Sequence, residues 1–314
     1  MHAGSDGHDA PGRRNKDGNG NGPDGTSGPG EWLLQAVLEL RCGSINQFEE
    51  RAATIPKFRQ IVWKQTYDSY IRKALDMAKS SIRGESFYKI VKEAHAREKI
   101  YMEYNGCATS LESFEMLQQI LTHNNIDHLQ FYEDVFGIMD KTMSKKNTCL
   151  FLGPPNAGKT LVAMSIALAC VYFCNIQSFR KGQAFPFMEA MGTRCILMNE
   201  PRITDEHVET LKNIAEGCPT HIDVKYRTGQ VLMRTPMIVA TNHPLAMYVQ
   251  TGRDVAQAAF NSRSVVYKFQ TFDKLRHFKG HLNPGLWMYV ARQLTMDGAV
   301  FLDAPSALED FATL

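Results

Sequence analysis

Eight consecutive residues have the types and the spacing that hold a phosphate group. They match the pattern G-x-x-x-x-G-K-[ST] and read Gly153-Pro154-Pro155-Asn156-Ala157-Gly158-Lys159-Thr160. Glycines at both ends of the loop let the backbone fold round an anion, and the N–H groups that open the following helix point at it. We expect Lys159 to reach the β- and γ-phosphates and the Thr160 hydroxyl to bind Mg²⁺. The motif therefore predicts a site for ATP and Mg²⁺.

Such a site needs a carboxylate at the end of a neighbouring strand, which binds Mg²⁺ through water and orients the attacking water. Glu200 is the candidate, because it follows the apolar run 195–198. Most sites of this kind carry two acidic residues here, whereas Asn199 precedes Glu200. Either Glu200 serves both roles, or Asp205 or Glu206 assists it. Taken alone, Glu200 is equally an ordinary charged residue at a strand end.

A third polar residue, Asn242, ends the apolar run that begins at residue 236. An amide at this point can hydrogen-bond the attacking water or the γ-phosphate, and so report whether the phosphate is present. As an isolated residue, Asn242 is more typical of a turn before His243 and Pro244.

The elements that position these residues follow from the pattern of apolar side chains. Short apolar runs at 148–152, 195–198 and 237–240 alternate with helical runs, which predicts a mostly parallel sheet flanked by helices. Residues 31–104 instead show apolar side chains at helical spacing, interrupted by glycine and proline. This region is therefore predicted to form several helices.

Composition excludes several classes of protein. The 314 residues carry 35 Lys+Arg against 33 Asp+Glu, a formal net charge of +2, so bulk charge does not hold nucleic acid. Seven scattered cysteines without CxxC pairs fit a reducing compartment. The longest apolar run, 161–173, is too short to span a bilayer, and no apolar leader opens the chain. We expect neither secretion nor a membrane partner.

Residues 1–30 predict a disordered tail, because they contain many glycines and offer no large apolar residue after Met1 to bury. Arg13, Arg14 and Lys16 within it match part of a nuclear localisation signal. The same three charges also fit a plain solvated tail.

Four segments together carry a family resemblance. They read GPPNAGKT, CILMNE, EGCPTHIDVKYRTG and MIVATNHP, all between Gly153 and Pro244, with an AFPF element at 184–187. This set resembles the compact ATPase of superfamily 3 helicases, above all the large non-structural replication proteins of parvoviruses and densoviruses. The resemblance covers roughly residues 110–275. It implies an AAA+-like P-loop NTPase fold, a homo-oligomeric ring of six subunits, and ATP hydrolysis between subunits during 3′-to-5′ movement on single-stranded DNA.

The resemblance also implies roles for single residues. Lys159 and Thr160 match the phosphate-loop pair, Glu200 the acidic residue and Asn242 the sensor. Arg263 matches the arginine finger that a neighbouring subunit inserts, although Ser262 replaces the usual Asp before it.

A basic segment, Lys225-Tyr226-Arg227, matches the hairpin that lines the central channel of the ring. Lys225 is the first candidate for DNA binding, with Lys212 and Arg227 as lesser ones. Lysine and arginine follow phosphates while an aromatic ring stacks on a base, and Gly229 is expected at the turn. An exposed hairpin whose charged edges suppress aggregation explains the segment equally well.

These expectations divide the chain into four parts. Residues 1–30 form the tail, 31–109 a helical region that serves as an oligomerisation collar, 110–281 the ATPase domain, and 282–314 a C-terminal cap. Plain core packing explains the helical pattern of 31–109 equally well.

The function expected is that of an ATP-dependent DNA helicase of viral replication, acting in the host nucleus. One alternative is a nucleotide-binding switch or scaffold that does not translocate, and another is an inactive relic in a host genome. The histidines lack the His-hydrophobe-His spacing of the nicking endonucleases found in related replication proteins. That nuclease is therefore expected to be lost or to lie outside this chain.

Overall fold

The computed structural model describes residues 29–62, 67–176, 179, 185–225 and 227–297. Most of the predicted tail therefore lies outside the described residues. The first half is helical, as the apolar spacing predicts. Within the described ranges eight helices precede the first strand: α1 Pro29–Glu39, α2 Ile45–Thr54, α3 Pro56–Val62, α4 Asp68–Gly84, α5 Phe87–Ala96, α6 Glu98–Asn105, α7 Ser110–His123 and α8 His128–Met139.

Polar side chains fix where several of these helices begin. Ser44, Ser86, Thr109 and Asp127 each accept a hydrogen bond from the backbone N–H three residues further on. Such caps satisfy donors that a helix start leaves without a partner. At Thr109 the cap is reciprocal, because Glu112 accepts from the Thr109 backbone N–H.

The second half alternates strands and helices. The elements are β1 Thr148–Leu152, α9 Lys159–Cys170, β2 Phe173–Ile176, β3 Cys195–Asn199, α10 Val208–Glu216, β4 Thr220–Val224, β5 Arg227–Leu232, β6 Met237–Thr241, α11 Arg253–Ser262, β7 Ser264–Lys268 and α12 Leu286–Met296.

Five strands form one parallel sheet in the order β2-β3-β6-β1-β7. We call the edge where they begin the amino edge and the edge where they end the carboxyl edge. All of β6 is buried, as are the first four residues of β1 and of β3. This burial is typical of parallel strands covered by helices on both faces. The predicted α/β fold, a parallel sheet flanked by helices after a helical region, is confirmed.

Strand register brings the predicted site residues to one edge. Leu152, the last residue of β1, pairs with Thr241 of β6, and Asn199 of β3 pairs with Ala240. The phosphate loop, Glu200 and Asn242 each follow one of these strands directly. They therefore meet at the carboxyl edge, because parallel strands all end on the same side.

Buried polar side chains join the helical region to the sheet layer. Arg41 donates through Nη2 to the Ala169 carbonyl at 2.6 Å and through Nε to the Tyr101 hydroxyl at 2.9 Å. The bond to Ala169 satisfies a carbonyl in the last turn of α9, where a cation is favoured. Trp287 of α12 donates to Ser165 of α9 at 3.1 Å from within the same apolar core as α1–α5, α7 and α8.

The helix α12 therefore packs into the helical layer, and the boundaries at 109 and 281 stay predictions. None of the helices in the described ranges is both long and apolar enough to cross a bilayer.

The strands β4 and β5 form a separate antiparallel hairpin between α10 and β6. Val224 pairs with Arg227, so the chain reverses between these two residues. Gly229 was expected at the turn, but it lies inside β5 with φ +59°. A glycine tolerates this conformation within a strand, so its presence alone did not locate the turn.

Candidate nucleotide site

The phosphate loop connects β1 to α9 and requires glycine at two positions. A Cβ atom on Gly153 would lie 2.2 Å from the Phe269 carbonyl oxygen, and Gly158 has φ +86°. The loop borders a cavity with a volume of about 420 Å³. Its lining residues are Pro155, Asn156, Ala157, Gly158, Lys159, Thr160, Leu161, Asn199, Glu200, Asn242, Leu275 and Arg276. Lys159, Thr160, Glu200 and Asn242 are therefore brought together as the sequence predicts.

Lys159 is nearly buried and bonded within the site. Its Nζ atom donates to the Pro154 carbonyl at 2.7 Å and to Asn242 Oδ1 at 2.9 Å. Burial lowers the pKa of Lys159, and the nearby Glu200 carboxylate opposes that shift. Both partners of the ammonium are neutral oxygens. A phosphate oxygen carries more negative charge than these two oxygens. It can therefore replace them and form a stronger, charge-assisted hydrogen bond with the ammonium.

Thr160 and Asn199 form a pair that the motif alone does not reveal. The Thr160 hydroxyl donates to Asn199 Oδ1 at 3.0 Å across the cavity. Asn199 thus lies where Mg²⁺ sites of this type usually have a carboxylate. The hydroxyl, the amide oxygen and the neighbouring Glu200 carboxylate are all hard oxygen ligands, which is the ligand set that suits Mg²⁺.

Glu200 adopts an unusual backbone conformation at the end of β3. Its φ is +49°, which few residues other than glycine adopt. One carboxylate oxygen accepts the Asn242 backbone N–H at 2.9 Å. The Glu200 backbone N–H donates to Ala240 at 2.8 Å. Strain of this kind costs about 1–3 kcal/mol and is common where a side chain must face a ligand.

Asp205, an expected helper of Glu200, bonds elsewhere. One oxygen of its carboxylate accepts the backbone N–H groups of Gln250 and Thr251 at 3.1 Å each. It therefore stabilises the loop before α11.

Two cavity residues come from a segment that carries no motif. Leu275 and Arg276 lie on a 3-10 turn, Asp273–His277, that follows β7. The Phe272 backbone N–H donates to the Asn156 carbonyl at 3.1 Å and ties this turn to the phosphate loop. More than 110 residues separate the two in sequence, so no spacing rule could have linked them.

Arg263 lies at the amino edge, away from the phosphate loop of its own chain. It caps α11 just before β7, and its carbonyl accepts the Asn147 N–H at 3.2 Å. The five residues of β1 alone separate the two edges by roughly 13 Å at about 3.3 Å per residue. Arg263 thus cannot serve its own loop. A role in hydrolysis would require a second copy of the chain.

The predicted DNA-binding residues lie on and beside the β4–β5 hairpin. Lys225 is exposed at the end of the hairpin. Lys212, a lesser candidate, donates to Glu209 at 2.6 Å on the surface of α10. Tyr226 and the side chain of Arg227 lie outside the described residues.

Comparisons with known proteins agree with the motifs. A family model described as "Parvovirus non-structural protein NS1" matches residues 53–277. The chain belongs to this family. It is similar to the initiator protein NS1 of Bombyx mori densovirus, with 26% identity over 62% of this chain and 22% of the relative. The initiator protein NS1 of human parvovirus B19 (isolate AU) is 31% identical over 48% of this chain and 22% of the relative.

The matches thus span less than a third of these curated relatives. Among solved structures, the JCV helicase with a bound acetamide compound has a TM-score of 0.55 and 14% identity. The similarity covers 86% of this chain and 84% of the helicase chain. At this identity the likeness concerns the fold alone, and it agrees with the α/β architecture of the NS1-family chain.

Proposed function

We propose that this NS1-family chain is an ATP-dependent DNA helicase of viral replication. The observation that carries the proposal is the convergence of Lys159, Thr160, Glu200 and Asn242 on one cavity beside a glycine-shaped phosphate loop. Each residue type suits one part of phosphoryl transfer, and all four reach the cavity from neighbouring strand ends.

The triphosphate binds against the loop N–H groups and the Lys159 ammonium. Lys159 then exchanges the Pro154 and Asn242 oxygens for phosphate oxygens. The exchange frees the Asn242 amide, which orients the attacking water together with the Glu200 carboxylate. Mg²⁺, held by Thr160 and Glu200, neutralises charge on the phosphates when bound.

Hydrolysis also needs a cation opposite the loop, because negative charge develops on the transferred phosphoryl group. We assign that role to Arg263 of a neighbouring copy, which makes hydrolysis depend on assembly into a ring of six. Such an arginine supplied in trans contributes about 10³–10⁵ in rate. Single-stranded DNA is the proposed partner in the channel at Lys225 and Arg227, and the host nucleus is the proposed location.

The decisive experiment mixes two inactive variants. Lys159→Ala chains lack the phosphate contact but keep Arg263, whereas Arg263→Ala chains keep an intact phosphate loop. Each alone should hydrolyse ATP about 10³-fold more slowly than the natural chain in the presence of single-stranded DNA. Once mixed, they form interfaces that combine an intact loop with an intact arginine, so hydrolysis should reappear.

Arg253→Ala, on the same helix α11, is the matched control and should keep full activity. Absence of recovery in the mixture would argue against a shared site. Nucleotide binding without any hydrolysis or DNA response in the natural chain would favour the alternative, a nucleotide-binding switch or scaffold. Complete absence of nucleotide binding would identify an inactive relic.

A further inference from the structure

Arg263 is tied to the last residue of α10. Its Nε atom donates to Glu216 Oε2 at 2.9 Å, and Nη1 donates to the Ala259 carbonyl at 3.0 Å. Both side chains of the ion pair are about a quarter exposed, 25% for Arg263 and 27% for Glu216. The Nη2 atom makes no hydrogen bond with the described part of the chain. The carboxylate thus fixes the plane of the guanidinium and leaves one edge of it available.

Asn147, which bonds the Arg263 carbonyl, also bonds both ends of the β4–β5 hairpin. Buried Asn147 donates through Nδ2 to Ile214 at 2.9 Å and to Thr235 at 2.8 Å. Its backbone N–H is shared between the carbonyls of Ala215, at 3.1 Å, and Arg263, at 3.2 Å. From Glu216 the chain enters β4, and after β5 it returns at Thr235. Asn147 therefore connects both ends of the hairpin to the Arg263 backbone.

We propose that Glu216 is a positioning residue for Arg263 and couples it to the β4–β5 hairpin. This inference rests on the proposed function, because it takes Arg263 as the cation supplied to the neighbouring copy. Single-stranded DNA bound at the hairpin shifts the end of α10. The Glu216 carboxylate then carries that shift to the guanidinium, whose outer edge faces the neighbour.

The pair is better suited to positioning than to holding the fold together. A partly exposed ion pair contributes little to stability, because solvent screens the charges and the side chains lose freedom. The backbone bonds of Asn147 and the Ala259 contact remain when Glu216 changes. A glutamine at 216 therefore keeps the fold and the size of the side chain. It weakens the hydrogen bond that Arg263 Nε donates, because the acceptor is no longer charged.

The test measures ATP hydrolysis by Glu216→Gln in the full chain, with and without a single-stranded oligonucleotide. We expect the DNA-stimulated rate to fall by about 10–100-fold, since small misplacement of a reacting group costs that much. The ADP dissociation constant and the melting temperature should stay the same. Glu216→Asp should recover part of the DNA response. Glu133→Gln, an exposed glutamate of α8, should behave like the natural chain.

The outcomes separate this inference from the proposed function. If Glu216→Gln responds to DNA as fully as Glu133→Gln does, the positioning role is wrong while the helicase proposal stands. If Glu216→Gln loses ADP binding or folding, its role is structural and the inference also fails. If the natural chain itself shows no DNA-stimulated hydrolysis, the proposed function and this inference fall together.

Discussion

The two edges of the sheet use buried polar groups in opposite ways. At the amino edge, Asn147 is completely buried and bonds backbone groups of α10, β6 and the Arg263 corner. At the carboxyl edge, Lys159 and Thr160 bond to side chains across an open cavity. The backbone partners of Asn147 cannot leave without unfolding the elements they belong to. Lys159, which also donates to the Pro154 carbonyl, can change partners by moving its own side chain in the cavity.

The comparison distinguishes polar contacts that stabilise the fold from polar contacts that a ligand can replace. A contact between side chains that border a cavity can be exchanged for a ligand, because each group finds a new partner. A buried asparagine that bonds three chain segments has no such alternative. We therefore expect substitutions at the carboxyl edge to reduce activity, and substitution of the fully buried Asn147 at the amino edge to reduce stability.

The largest expected effect comes from a substitution of Glu200 at the carboxyl edge. Glu200→Gln keeps an oxygen for the Asn242 N–H but loses the charge that orients water and binds Mg²⁺. We expect steady-state ATP hydrolysis to fall by about 10²–10³-fold, with an unchanged melting temperature. Glu133→Gln, an exposed residue of α8, is the control. A variant that melts much earlier, or that keeps its activity, would contradict the division between the two edges.

The next largest effect is expected from a substitution of Asn147 at the amino edge. Asn147→Ala removes the side-chain donors to the Ile214 and Thr235 carbonyls, of which the Ile214 carbonyl keeps the Gly217 N–H. We expect the free energy of unfolding to fall by about 2–4 kcal/mol, as measured by urea denaturation. Asn175→Ala, on the exposed side of the edge strand β2, should change it little. Equal stability of the two variants would show that the hydrogen bonds of the Asn147 side chain do not stabilise the fold.

A smaller effect is expected at Asn199, on the carboxyl edge. Asn199→Asp keeps the acceptor for Thr160 and adds a second negative charge beside Glu200. Calorimetric titration should show Mg²⁺-dependent ADP binding at about 3–10-fold lower Mg²⁺ concentration, because charge count tunes affinity for hard cations. Without Mg²⁺ the extra repulsion should lower the melting temperature. An unchanged Mg²⁺ dependence would mean that residue 199 does not face the ion.

The smallest effect concerns Lys141, at the end of α8. Burial lowers the pKa of Lys141 to about 8, and Arg194, Arg83 and Arg234 add to that shift. The unfolded chain keeps its proton up to the ordinary pKa near 10.5, so it binds more protons than the folded chain between these values. Stability should therefore rise as pH increases from about 8 towards 10.5.

Replacing Lys141 tests this assignment. Lys141→Gln should raise stability near pH 7 by about 1 kcal/mol after solvent screening, and it should flatten the rise at high pH. Thermal melts across the pH range measure both effects. Lys145→Gln has the same left-handed backbone but an exposed side chain, so it should leave the pH profile unchanged. Identical profiles for the two variants would contradict the assignment.

Much of the site was predictable because it depends on local pattern. The phosphate loop shows as a motif, in which Gly158 adopts a left-handed backbone and Gly153 leaves room for the Phe269 carbonyl. The strands before Asn199 and Asn242 show as apolar runs. Leu275, Arg276 and Glu216 were not predictable. They approach the site or Arg263 through packing between segments far apart in sequence, and a turn residue or a helix-end glutamate carries no signal of its own. The turn expected at Gly229 was wrong because glycine is also accommodated inside a strand.

The phosphate loop between a strand and a helix, and the polar residues that end the neighbouring strands, can be read from the residue types and the distances along the chain. Three further facts depend on how distant segments pack together. Thr160 bonds Asn199, Arg263 lies at the edge opposite its own loop, and Glu216 holds Arg263. Those facts depend on the order of strands in the sheet, which sets the residues that face one another and is not written in any single segment.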